Sequence, residues 1–86
     1  MNENIERELY FIRNATWHTT IEDGDIVVER REVDHNKGFL GHKLVQERAS
    51  RIRWNAEIEE EEVIEEICLK TWIEDKKGNL IEKITI

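Results

Sequence analysis

A chain of 86 residues makes one small domain, spanning 1–86, and 38% hydrophobic against 38% charged residues leaves it little material for a core. Its formal net charge of −7 disfavours general nucleic-acid binding and anionic membrane surfaces, which both require clustered Lys and Arg. The single cysteine, Cys68, excludes an internal disulfide and fits a reducing compartment. No apolar run nears the roughly 18 residues of a membrane span and no basic-then-apolar leader opens the chain, so a cytoplasmic protein is expected.

Along the chain, "IERELYFI" sets Ile5, Leu9 and Ile12 at helical spacing, with Asn2 or Asn4 as N-cap, and predicts a short N-terminal helix. From Leu9 the odd positions Phe11, Arg13, Ala15, Trp17, Thr19 and Ile21 alternate, the mark of a strand with one buried face. Asp23-Gly24 then reads as a type I′ turn. That register opposes Ile21 to Ile26 and Thr19 to Val28, closing a hairpin over about 8–33 with Trp17, Ile21, Ile26 and Val28 on one face.

"VDHNKGFLGH" is a loop, and "HKLVQERAS" (42–50) holds good helix formers with Leu44, Val45 and Ala49 on one side, predicting a second short helix. Ile52, Trp54, Ala56 and Ile58 alternate as a strand over about 51–58, with Arg51, Arg53 and Glu57 on its other side. A final hairpin over about 63–86 turns at Lys76-Lys77-Gly78, opposing Ile73 to Ile81 and Trp72 to Glu82. One face then carries Ile67, Leu69, Ile73 and Ile81, and the other Ile64, Cys68, Trp72, Leu80, Ile84 and Ile86.

Seven glutamates crowd positions 57–66. As a helix they would set six like-charged pairs three or four apart, about 1–3 kcal/mol of repulsion in all. Two strand ends with an exposed connection near 59–62 cost less, and a helix over 57–68 is the competing reading. Lys43, Arg48, Arg51 and Arg53 lie just upstream, so neighbouring strands that neutralise each other are expected. Glu59, Glu60, Glu61 and Glu62 form the acidic surface for a basic partner, a nucleic-acid mimic included.

No pattern supplies catalytic chemistry. His18, His35 and His42 lack the tight pair spacing of zinc ligands, although Asp34, His35 and His42 share one loop region. Cys68 in an apolar strand is an inert thiol, and "KGFLGHK" lacks the ending of a phosphate loop. A non-enzymatic protein with no cofactor and no metal is expected. Trp17 reads as core. Trp72 is different, because its hairpin is apolar on both faces and both must be covered.

The sequence therefore predicts a small α+β domain, mostly antiparallel sheet with one or two short helices, with a partly closed all-β barrel as the alternative. Function is expected through protein–protein contact, as an inhibitor, adaptor or regulator of the compact acidic type encoded by phages and mobile elements. Self-association, a dimer first, is expected through Trp72, Ile64, Leu80, Ile84 and Ile86. The alternative is an anionic nucleotide or metabolite bound by His42, Arg48, Arg51 and Arg53 with Trp54 beside them.

Overall fold

The computed structural model describes residues 3–85. Helix α1 (Glu3–Ile12) precedes five strands, β1 (His18–Asp23), β2 (Ile26–Asp34), β3 (Lys43–Asn55), β4 (Glu60–Glu74) and β5 (Leu80–Ile84). They form one open antiparallel sheet in the order β1-β2-β3-β4-β5, each strand beside its successor. The α+β class is as expected. The barrel is not formed, since β1 and β5 stay at opposite edges and the molecule measures 46 × 23 × 19 Å.

Helix α1 forms because Ile5, Leu9 and Ile12 share a stripe, and Ile5 and Ile12 bury against Leu44 and Ile73. Leu9, Ala15, Val33 and Ile84 close around them. The helix therefore claims Leu9 and Phe11, residues 13–17 form the connection, and the first hairpin spans 18–34 rather than 8–33. Tyr10 and Phe11 are left facing solvent. Asn4 lies inside the helix rather than before it, and Asn2 is outside the described residues.

The first turn is Gly24-Asp25, with Gly24 at φ 63° and a normal φ at Asp25, the signature of a type II′ turn. Asp23 therefore faces Ile26 and Ile21 faces Val28, and a bulge at Thr20 brings Thr19 opposite Glu29. Ile21, Ile26 and Val28 still share a face, whereas Trp17 lies on the opposite one, over Arg31 and Arg48.

The helix expected over 42–50 does not form, and residues 43–50 are strand. β3 is the central strand, paired to β2 and β4, and it reaches from Lys43 to Asn55, replacing the expected strand over 51–58. Leu44 and Val45 are both fully buried, on opposite faces, which only a two-residue period allows. Tertiary pairing on both sides overrides the helix preference of single residues.

β4 is also strand throughout, and no helix forms over 57–68. The turn falls at 56–59, where Asn55 Oδ1 accepts the Glu57 N–H at 3.0 Å and Glu59 takes the left-handed φ of 54°. The last turn is Lys76–Gly78 as expected, with Gly78 at φ 87° and the Asp75 N–H bonded to the Asn79 carbonyl at 2.9 Å. Glu74 faces Leu80, but a bulge at Ile81 then sets Ile73 opposite Glu82 and Trp72 opposite Lys83. Ile84 is thereby moved opposite Thr71 and onto the helix-covered face, away from Trp72.

Candidate functional site

The face turned away from α1 is organised by charge around Trp72. Arg30 on β2 reaches across β3 and donates to Glu74 on β4, Nη1 to Oε2 at 2.8 Å and Nη2 to Oε1 at 2.7 Å. Trp72 Nε1 donates to the same carboxylate at 2.9 Å. Arg30 Nη2 also meets Glu32 at 2.7 Å, and Lys43 Nζ stands 3.3 Å from Glu32. By register the Arg30–Glu74 pair passes over Val45, which explains how Val45 is buried where no helix covers the sheet. Bonds from Arg30 hold the Glu74 and Glu32 carboxyls below the usual carboxylate range, and the Arg30 guanidinium is raised in turn, chiefly by Glu74.

On the other face, Trp17 lies between two cations. The guanidinium carbons of Arg31 and Arg48 each stand 4.2 Å from its ring centre. Arg31 Nε donates to Gln46 at 2.9 Å, Gln46 to Thr71 at 3.2 Å, and Arg48 Nε to Glu29 at 2.9 Å. Burial, then the nearby Arg48 charge, lowers the Arg31 pKa. At the end of the sheet that carries α1, Glu8 joins helix to loop, its Oε1 lying 2.6 Å from His35 Nδ1 and its Oε2 accepting the Asn36 N–H at 3.1 Å.

The anionic-ligand set is not gathered into one pocket. Arg48 is held by Glu29 and Trp17, Arg51 by Asp25 at 2.8 Å and Glu65 at 3.5 Å, and Arg53 by Glu62 at 3.0 Å. Trp54 is exposed beside Arg53, and His42 follows the Asn36–Gly41 turn at the opposite end of β3. Of the acidic set, Glu62 is bound to Arg53 and Asn55, which lower its pKa, while Glu59, Glu60 and Glu61 face solvent around the tip. Among the described residues no buried side-chain polar atom lacks a partner, and no group of His, Cys, Asp and Glu is placed to hold a metal ion.

The association set is divided. Trp72 and Leu80 belong to the face opposite α1, Ile84 packs toward the core, Ile64 sits in a β4 bulge, and Ile86 is outside the described residues. Trp72, Leu80 and Ile84 still border one open groove at the β4–β5 end. Sequence reasoning missed a longer feature. β4 has 15 residues and β5 only 5, so β5 covers β4 at Thr71–Glu74 alone. Beyond it Val63, Ile64, Ile67 and Leu69 are 58%, 46%, 47% and 49% exposed. The signal was the unequal length of the two apolar runs.

Compared with protein-family models, curated proteins and solved structures, the chain matches none. Among the described residues no helix is long and apolar enough to cross a membrane.

Proposed function

We propose that this chain is a non-enzymatic protein-contact module that works in a self-associated form, a dimer first. The observation that carries the reading is surplus surface. A compact monomer of 10.3 kDa exposes about 5,400 Å² by size scaling, and this chain exposes 6413 Å². The excess of about 1,000 Å² is close to one partner's share of a standard interface, about 800 Å². Its radius of gyration, 14.8 Å, exceeds the roughly 12 Å of a compact chain this long.

A second copy fits that surplus better than an occasional partner. The buried hydrophobic side chains are Ile5, Ile12, Val27, Leu44, Val45 and Ile73, a thin core for a stable domain. A fold that needs cover must have it whenever it is made, and another copy of the chain meets that condition. The remaining surface is then free to act as an inhibitor, adaptor or regulator in a reducing, cytoplasmic setting where Cys68 stays a thiol. Absolute mass by light scattering after gel filtration tests the reading. A dimer that persists in high salt is expected, and a monomer at every concentration would overturn self-association.

A further inference from the structure

The self-association reading can be carried to one edge of the sheet, on which the following inference rests. Residues 60–70 of β4 bond to β3 on one side, and among the described residues no strand lies along the other. That leaves a window about 35 Å long of unpaired backbone N–H and C=O groups. It is bounded by the 56–59 turn at one end and by β5 at the other. We propose that this window pairs with the same window of a second copy, antiparallel, about a two-fold axis at Glu65, joining two five-stranded sheets into one.

Four features converge on that occupant. A strand filling the window must match its length, and the window matches itself. Its ends are Glu60 and Lys70, both exposed, so the two-fold sets each Glu60 opposite the other copy's Lys70. The pleat agrees as well. By pairing with β3, Glu61 shares a face with Leu69, and Glu62 with Cys68, and these are the residues the register opposes. The bulged residues, Ile64 and Ile67, flank Glu65 and Glu66, so the register sets Val63 against the other copy's Ile67 and covers exposed apolar surface. The cost is the like charge of the two windows, each with Glu60, Glu61, Glu62, Glu65 and Glu66 against Lys70, and it is sharpest at the axis, where two Glu65 carboxylates meet. Each has Arg51 Nε 3.5 Å away to offset it.

The test is a cysteine at the axis. In a Cys68→Ser background, Glu65→Cys places two thiols on directly opposed strand positions, within disulfide reach. Glu57→Cys, in the tip turn, puts them at opposite ends of the assembly and reports random collision. Under mild oxidation Glu65→Cys should form a covalent dimer at least about tenfold faster than Glu57→Cys, as a preformed pair requires. Equal rates from a protein that is dimeric by mass would overturn the edge and leave self-association standing. A monomeric mass would overturn both, and would leave the window to a strand of another protein. A charge swap gives a second readout without a cross-link. Glu60→Lys and Lys70→Glu should each weaken dimerisation about tenfold, and their combination should restore it. A combination as weak as the single variants would overturn the register.

Discussion

Glu74→Gln tests the polar group that roofs the uncovered face. The substitution keeps shape and volume but removes the charge and turns one acceptor oxygen into a donor, which then confronts either Arg30 or Trp72 Nε1. Removing one partner of a buried ion pair costs 3–5 kcal/mol, but Arg30 here is 30% exposed at its side chain and keeps Glu32, so about 2 kcal/mol is expected. For a domain of this size that lowers Tm by roughly 8–16 °C. Far-ultraviolet circular dichroism is the assay, with both proteins at one fixed concentration so that mass action does not enter the comparison. The sign with pH follows from the lowered Glu74 pKa, whose first cause is the bond from Arg30. Its stabilisation is complete above the ordinary value of 4.5 and is lost as pH falls through the lower folded value. The gap between wild type and Glu74→Gln should therefore narrow in acid. A gap that holds constant below pH 4, or a variant that melts with wild type at pH 7, would refute the reasoning.

Three further outcomes follow from the same structure. Leu44→Ala removes a fully buried side chain packed on Ile5, Ile12 and Ile73 and should cost about 3–4 kcal/mol, enough to abolish the cooperative melt in calorimetry. Glu59→Gly relieves a left-handed φ of 54° and should raise stability by about 1 kcal/mol, seen as a higher urea midpoint at unchanged slope. Trp17→Ala removes the ring shared by two guanidinium groups and should cost about 1–2 kcal/mol, and a double-mutant cycle with Arg48→Gln should return a coupling of at least 0.5 kcal/mol.

The elements legible in the sequence are those whose signals are local. Ile5, Leu9 and Ile12 announce α1, and Gly78 announces the last turn, because each depends on neighbours a few positions away. The strand over 43–50 was hidden by Lys43, Gln46, Glu47 and Arg48, good helix formers individually. The informative pair there was Leu44-Val45. Two adjacent apolar residues fit a central strand buried on both faces as readily as a helix, and only the partners β2 and β4 decide between them. The turn at 56–59 had a local mark in Asn55, whose side chain closes it, although none of the turn residues themselves is Gly, Asn or Asp. Of the candidate site residues, the arginines' engagement with carboxylates depends on cross-strand register, which a sequence with several acceptable turns does not fix.

The short β5 leaves the apolar part of β4 as an open edge, and the bulges change which of its residues share a face. Alternation assigns residues to faces only while the pairing is unbroken, and β4 is interrupted at Ile64 and Ile67, with a third irregularity at Ile81 of β5. Between the two bulges the phase is reversed and beyond the second it is restored, so Val63 and Leu69 share the face that carries α1 while Cys68 lies on the other. They line both flanks of a strand whose outer backbone is open, and a strand added there would meet apolar side chains above and below it. Glu60, Glu61, Glu62, Glu65 and Glu66 make an otherwise adhesive edge repel arbitrary copies of itself. Lys70 is the lone cation of the window, and the proposed register sets each copy of it opposite Glu60 of the other.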